Sequence, residues 1–226
     1  STGYQTTACS WSYSPDRRQV AVSNCQGDMR FIAVPSLKGE GRLTWSSQLG
    51  NATAVTWLRR DTLVAVSTIG SDLSRLVVID PAKLRIVKRV DLDGVSLGRY
   101  VVGNSAVLLV SPSGHFGPPT VVVVGPDGSL RSISVARLSA GTVSSVGDDG
   151  VPHFETRTPG FAVDQSAARA YVVGRDLTVA AVDLRTGEVA YHGPVRTLAK
   201  VFDGWTRTAR VLAGAAPLQM IDIGIE

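Results

Sequence analysis

The segment PGFAVDQSAARAYVVGRDLTVAAVDLRTGEVAYH, residues 159–192, contains short apolar runs separated by turn-like breaks. The runs FAVD, AYVVG, VAAVD and VAYH are rich in valine and alanine, and polar residues, glycine or both stand between them. Short valine-rich runs bounded by Gly, Asp, Ser and Thr are typical of β-strands joined by tight turns. The segment therefore predicts a unit of four consecutive strands.

The same unit recurs along the chain. One marker is an apolar run that ends in a small residue, and a second marker is the apolar run that follows it. From the first copy to the third, both markers recur about every 45 residues, and extra residues precede the fourth copy. The first marker ends at Ser23, Ser67, Ser111 and Gly174, and the second at Pro35, Pro81, Pro126 and Leu184. Four strands per unit of this length is the pattern of a β-propeller blade.

Hydrophobicity differs between the strands of one unit. The third run is apolar at every position, as in VVVV (121–124), which predicts a strand buried on both faces. The fourth run alternates with charged residues, as in IVKRVDL (86–92), which predicts an exposed edge strand. This gradient suits a blade whose inner strands pack between neighbouring blades.

We predict an all-β fold, a single β-propeller domain with five four-stranded blades. The fifth copy has three runs before the chain stops, so the N-terminal strand is expected to complete it and close the ring. The alternative is a fragment of a six- or seven-bladed propeller. The predicted blades are 8–48, 49–94, 95–137, 159–195 and 196–226 with 1–7, and residues 138–158 are an insertion.

The pattern FAVD…RAYVVG…VAAVDLRTGEVAYH resembles a blade of bacterial propellers in the YVTN, quinoprotein-like and WD40-like repeat group. In that group Asp-x-x-Thr-Gly-Glu/Lys forms the turn between the third and fourth strands. Residues 183–188, DLRTGE, match this turn, and IDPAKLRIV (79–87) and GPDGSLRSI (125–133) are looser versions. The resemblance implies the architecture, while functions within the group range from dehydrogenases to binding scaffolds.

Charge and hydropathy argue against nucleic-acid binding and against a membrane-spanning segment. The chain has 23 Lys and Arg against 19 Asp and Glu, a net charge of +4, and the cations are dispersed rather than gathered in a stripe. Nucleic-acid binding is therefore not expected. The longest apolar run, TVVVV (120–124), is far shorter than the roughly 20 residues of a membrane helix, so no membrane span is expected. A monomer is predicted.

The two cysteines, Cys9 and Cys25, match no zinc or redox motif. If the intervening stretch is a hairpin centred on Arg17, paired residues have numbers that sum to 34, and the cysteines face each other. This predicts a disulfide and an oxidising compartment, extracellular or periplasmic. The chain begins at Ser1 as a mature exported chain would. The alternative is two unpaired buried thiols in a cytosolic protein.

The insertion 138–158 is the first candidate for a binding site, because insertions in repeat folds form loops on the binding face. It contains Asp148, Asp149, His153 and Glu155, which could form a cation site, a sugar site or an acid–base pair. The alternative is a turn at GDDG (147–150) followed by an exposed hairpin, in which these residues have no binding or catalytic role.

Two further candidates are weaker. His115 lies in the loop PSGHFGPP (112–119), where it could stack against a ligand or fold over its own blade. WTRTAR (205–210) contains Trp205, Arg207 and Arg210, which could form an anion site or a polar turn. The three histidines of the chain lack ligand spacing, so no metal site is predicted, and no cofactor motif occurs.

The leading functional prediction is an exported, non-catalytic scaffold that binds a protein, glycan or small ligand through loops on one face. One alternative is a propeller glycoside hydrolase or lyase that uses channel carboxylates. Against it, the positions matching Asp164 in the other copies are Ser14, Leu58 and Gly103, so carboxylates do not recur at one register. A second alternative is a fragment whose function depends on a larger protein.

Overall fold

A computed structural model of the chain describes residues 10–24, 28–44, 51–70 and 72–193, together with the backbone of two short strands near the C-terminus. Within these ranges the regular structure is β-strand, with no helix. Consequently no helix of the described part is long and apolar enough to cross a membrane. The all-β prediction is confirmed.

Four sheets have four antiparallel strands each, arranged in chain order as meanders. Each sheet falls within one predicted repeat. The first contains β1 (Ser10–Tyr13), β2 (Gln19–Ser23), β3 (Asp28–Ala33) and β4 (Gly39–Thr44), and the second β5 (Asn51–Arg59), β6 (Thr62–Ile69), β7 (Leu73–Asp80) and β8 (Arg85–Asp93). The third contains β9 (Val95–Val102), β10 (Ser105–Ser111), β11 (Thr120–Val124) and β12 (Leu130–Ser134).

The insertion forms a separate two-stranded hairpin of β13 (Gly141–Val146) and β14 (Pro152–Arg157). The fourth sheet follows, with β15 (Gly160–Asp164), β16 (Arg169–Val173), β17 (Val179–Asp183) and β18 (Val189–His192). Two short strands, β19 (Leu212–Ala213) and β20 (Ala216–Pro217), pair with each other. Most of the predicted fifth blade lies outside the described residues, so the blade count stays a prediction.

The burial gradient across each sheet agrees with the hydrophobic pattern. The third strands β7, β11 and β17 are largely buried, whereas the fourth strands β4 and β8 are mostly exposed. The second strands are as buried as the third: residues 62–67 of β6 are buried without interruption. Strands buried on both faces can carry apolar side chains at every position, which explains the uninterrupted valine runs.

The chain divides into two compact units, Ser1–Val107 with Val124–Leu130, and Leu108–Val123 with Arg131–Glu226. In the first unit the core gathers nonpolar side chains from two sheets around Phe31 and Trp57, whose rings meet edge to face at a centroid distance of 6.2 Å. In the second unit the fully buried residues include Val121, Val172 and Val182.

The first hairpin differs by one residue from the predicted register. Ser10 pairs with Ser23 and Tyr13 with Val20, so paired residues have numbers that sum to 33 rather than 34. The cause is the turn: the Ser14 amide donates to the Gln19 carbonyl at 2.8 Å, which closes a loop of even length. The pairing used to predict the disulfide was therefore wrong. Cys9 and Cys25 lie outside the described residues.

The turn between the third and fourth strands has the same backbone hydrogen bond in the first and fourth sheets, where an amide donates to the carbonyl four residues earlier, as Leu37 does to Ala33. In the fourth sheet the Gly187 amide donates to the Asp183 carbonyl at 2.8 Å, and Gly187 has φ 85°. The Asp183 carboxylate accepts hydrogen bonds from the amides of Thr186 and Arg185, at 3.0 and 2.8 Å, and these bonds hold its pKa below the usual range. The residues of the DLRTGE motif thus serve as a structural turn.

Side chains of one sheet form hydrogen bonds with this turn of the next sheet. Lys88 of β8 donates to the Gly128 carbonyl at 2.7 Å, and Arg131 of β12 donates to the Arg185 carbonyl at 2.6 Å. In each case a cation on a fourth strand caps the turn of the following repeat. Between the first two sheets the contact is nonpolar: Leu84, with φ 49°, packs against Gly41 of β4, where a Cβ atom would lie 2.6 Å from a Leu84 methyl carbon.

Candidate functional site: a projecting hairpin and a polar cleft

Residues 141–157 form the hairpin β13–β14 because the GDDG segment makes a tight turn. Gly147 donates to the Val151 carbonyl at 3.0 Å, and Gly150 takes φ 74°. The Asp149 carboxylate accepts a hydrogen bond from the Val151 amide at 2.9 Å, the usual role of aspartate in a turn. The structure thus places a turn and an exposed hairpin where the sequence analysis allowed either these or a chemical site.

The hairpin has two chemically different faces. In the pairing register Phe154 lies opposite Ser144 and Val146 opposite Pro152, so these four side chains share one face. His153, Glu155 and Arg157 alternate onto the other face. Phe154 is 71% exposed and Val146 is 73% exposed.

Both faces of the distal hairpin are open to solvent, since residues 144–146 and 148–156 are exposed. A strand pair exposed on both faces is not packed on the core, so the hairpin projects from its unit.

The base of the hairpin is tied to the loop 112–119 by backbone hydrogen bonds. The amides of Gly117 and Ala140 donate to each other's carbonyl groups at 2.9 and 2.8 Å, and the Gly114 amide donates to the Thr142 carbonyl at 2.8 Å. Gly141 has φ 129°, and a Cβ atom there would lie 2.3 Å from the backbone carbonyl oxygen of His115. The close approach of the two segments therefore requires glycine at position 141.

A cation–π contact completes this anchor. The Arg157 guanidinium carbon lies 3.8 Å from the centre of the Phe116 ring, and Arg157 also donates to the Glu155 carboxylate at 3.1 Å. An isolated two-stranded hairpin is at best marginally stable in water, so these contacts to the loop hold its position. The aromatic side chain of the loop therefore contacts the hairpin of its own unit.

The structure brings together only some of the predicted site residues. His153 Nε2 lies 3.7 Å from the Asp149 carboxylate, while Glu155 faces two arginines, Arg157 and Arg175. Asp148 is exposed in the turn. Within the described ranges no group of three or more His, Cys, Asp or Glu residues is arranged to hold a metal ion.

The other candidates fall at different places. His115 is exposed, with Nδ1 3.2 Å from the Ser113 carbonyl, in the loop that contacts the hairpin base. The predicted anion site of Trp205, Arg207 and Arg210 lies outside the described residues. The hairpin and loop 112–119 are therefore the predicted site elements that the structure brings side by side.

A concave site lies in the first unit and was not predicted. It is a cleft of about 300 Å³ formed by turns of the first two sheets. Its charged side chains are two carboxylates and two guanidiniums, and a tryptophan edge, a proline and an alanine supply nonpolar lining. The lining residues are Ser14, Asp16, Arg18, Gln19, Glu40, Trp57, Arg60, Pro81 and Ala82.

The polar groups of this cleft are largely engaged with each other. The Ser14 hydroxyl donates to Asp16 at 2.7 Å and the Gln19 amide group donates to Glu40 at 2.6 Å. The Ser14 hydroxyl, the Arg18 amide and the positive charge of Arg60 hold the pKa of Asp16 below its usual range. Asp16 therefore stays ionised near neutral pH and is suited to hydrogen bonding rather than to proton donation.

Comparison with known proteins supports the fold. No family model matches the chain, and no curated protein matches it by sequence. Among the solved structures that resemble it, three have TM-scores of 0.56, 0.53 and 0.52 and sequence identities of 10, 11 and 18%. They are the β-propeller domain of Myceliophteria thermophila Cps50 (Swd1), the WD40 repeats of RRP9, and Kuenenia stuttgartiensis hydrazine synthase.

These likenesses confirm a β-propeller architecture. They cover 85, 84 and 77% of this chain but only 58, 52 and 52% of the compared chains. The chain thus spans a little over half the length of these structures. At such low identity the likeness concerns the fold, and the function has to be argued from the sites.

Proposed function

We propose that this protein is a non-catalytic scaffold that binds a protein partner through the hairpin 141–157. The observation that carries the proposal is the exposure of Phe154 and Val146 on a hairpin outside the four-stranded sheets. Exposed aromatic side chains on a projecting element are costly to leave in water and are typical of interaction sites.

The chemistry of the hairpin favours a protein over a glycan or small ligand. Small ligands bind in concave sites, whereas this element is exposed on both faces. Apart from one bridge between Ser113 and Thr142, the described pairings of β13 and β14 are with each other. An outer strand edge can therefore pair with an added strand of a partner, next to an apolar anchor at Phe154.

The anchor at the hairpin base supports binding by reducing its entropic cost. The loop 112–119 and the Phe116–Arg157 contact hold the hairpin before any partner arrives. A recognition element that is already ordered loses less conformational freedom on association.

The non-catalytic part of the proposal is supported by the state of the carboxylates. Asp164, the acidic residue considered for a glycosidase mechanism, accepts hydrogen bonds from the Ser166 hydroxyl and from the amides of Ser166 and Ala167. These bonds lower its pKa. A general acid of a glycoside hydrolase needs a raised pKa, so Asp164 is better suited to its turn than to catalysis.

Replacing Phe154 with alanine tests the proposed site. We expect the dissociation constant of the partner complex to rise by about thirtyfold or more, the effect of removing a central aromatic anchor. A photoreactive amino acid at position 154 would first identify the partner by cross-linking in cells of the source organism. Affinities of the purified partner for the two forms would then be compared by calorimetry.

Val87 is the matched control, since it is an exposed nonpolar side chain (52%) on the edge strand β8, which belongs to the first unit and not to the hairpin. Val87→Ala and cross-linking from position 87 should have no effect on this partner. Equal cross-linking from positions 87 and 154, or an unchanged affinity of Phe154→Ala, would overturn the proposal.

We further propose that the protein is exported. Cys9 and Cys25 lie one and two residues beyond the pair Ser10–Ser23, so short chain segments connect them to a fixed pair of strands. Titration of the unreduced protein under denaturing conditions is expected to give no free thiol, because the two sulfurs form a disulfide. Two reactive thiols per chain would contradict both the disulfide and the export that it supports.

A further inference from the structure

Arg99 is a half-buried cation on β9, the first strand of the third sheet. Its Nη1 donates to the hydroxyl oxygen of Ser10 on β1 at 3.2 Å. The two residues are 89 positions apart in sequence, and both belong to the first compact unit. Burial lowers the pKa of the guanidinium, although arginine stays charged at any physiological pH. The Arg99 guanidinium is therefore partly withdrawn from water.

The Ser10 hydroxyl cannot balance this charge. Ser10 is 7% exposed, and its oxygen also accepts a hydrogen bond from the Val55 amide at 2.9 Å. Two donors occupy both lone pairs of the hydroxyl oxygen, so its own proton is left to donate. Within the described part of the chain, neither the Ser10 proton nor the remaining N–H groups of Arg99 have an acceptor.

Arg75 shows how the same unit pairs a guanidinium that is largely withdrawn from water. Its side chain is 13% exposed, and it donates to both carboxylate oxygens of Asp91, at 2.5 and 2.6 Å. Such a planar pair is the preferred geometry for arginine and a carboxylate. No carboxylate of the described residues forms an ion pair with Arg99. The local environment of Arg99 therefore contains donors and a positive charge without the matching oxyanion.

We propose that Arg99 and Ser10 bind one oxyanion group of a ligand, a carboxylate or a phosphate. The anion would accept two hydrogen bonds from the guanidinium and one from the Ser10 hydroxyl. β1 and β9 are end strands of their sheets, and the Arg99 side chain is partly exposed, so a ligand can reach the guanidinium from solvent. Burying an unpaired charge is costly, and an oxyanion in this position removes the cost.

The test compares thermal unfolding of the wild type and Arg99→Met in phosphate, in acetate and in chloride at one ionic strength. A ligand that binds only the folded state raises Tm, and about a hundredfold excess over Kd is expected to raise it by about 5 °C. Arg99→Met should lose at least about half of this shift, as a Kd at least about tenfold weaker requires. In chloride it should melt no lower than the wild type, because the unpaired charge is gone. The more effective anion identifies the ligand class.

Arg89→Met is the matched control, since Arg89 is an exposed arginine in the same unit. It should keep the full anion shift. Equal shifts in the wild type and Arg99→Met would mean an adventitious ion only and overturn the proposal. A wild type that does not respond to either anion, together with an Arg99→Met form that melts several degrees lower in chloride, would also overturn it. That result would show Arg99 paired with a carboxylate of its own chain.

Discussion

Substitution of Gly141 by alanine is expected to lower the free energy of unfolding by about 3 kcal/mol. Gly141 has φ 129°, a conformation that residues with a side chain rarely adopt, and its added Cβ would meet the His115 carbonyl oxygen at 2.3 Å. Neither backbone can move without breaking the hydrogen bonds between Ala140 and Gly117. The expected decrease in Tm is about 6–12 °C.

Gly150→Ala is the matched control within the same hairpin. Gly150 also has a positive φ of 74°, but an added Cβ would have no neighbour within 4 Å. Only the backbone strain remains, so the loss should be about 1 kcal/mol. Hydrogen exchange at the amides of Gly117 and Ala140 should accelerate in Gly141→Ala but not in Gly150→Ala. Equal losses of stability would contradict the view that the hairpin base is fixed by a close backbone approach.

Substitution of Phe31 by alanine is expected to cost about 3–5 kcal/mol of unfolding free energy. Phe31 is 1% exposed on β3, and its ring meets that of Trp57 on β5 edge to face. The substitution removes the nonpolar contact between the first two sheets and leaves a cavity in the core of the first unit. Denaturant unfolding of the purified variant measures the loss.

The same substitution at Phe154 provides the control. Phe154 is 71% exposed, so Phe154→Ala should change stability by less than about 0.5 kcal/mol while weakening partner binding. The pair separates the two roles of phenylalanine in this chain. If Phe154→Ala destabilised the protein as much as Phe31→Ala, the hairpin would be part of the core rather than a recognition element.

Local sequence pattern was sufficient to predict the strands, because each strand and turn is specified within a few residues. Valine runs, the DLRTGE turn and the exposed fourth strands all follow from neighbours in sequence. The register of the first hairpin was wrong because alternation of polar and nonpolar residues allows loops that differ by one residue. The hydrogen bonds between Ser14 and Gln19 determine the length of that loop.

The sites were harder to predict because their contacts join distant parts of the chain. The requirement for glycine at position 141 comes from its contact with the loop 112–119. Arg99 donates its hydrogen bond to a serine 89 positions earlier in the sequence. The polar cleft collects side chains from three separate turns and from strands β2, β4 and β5, none of which has a motif of its own. The insertion 138–158 was found because it interrupts a period, a signal that requires no knowledge of contacts.

The contact between Gly41 and Leu84 has a consequence for how such repeats can be recombined. At this junction the glycine lies on the fourth strand, and the side chain that packs against it comes from the turn of the next sheet. At the following junction the arrangement is reversed: Gly128 lies in the turn, and the side chain of Lys88 comes from the fourth strand. The two junctions are complementary in opposite senses. A repeat transplanted from one position to another would bring two bulky groups or two gaps together. The second and third repeats of this chain are therefore similar in structure but not interchangeable at these junctions.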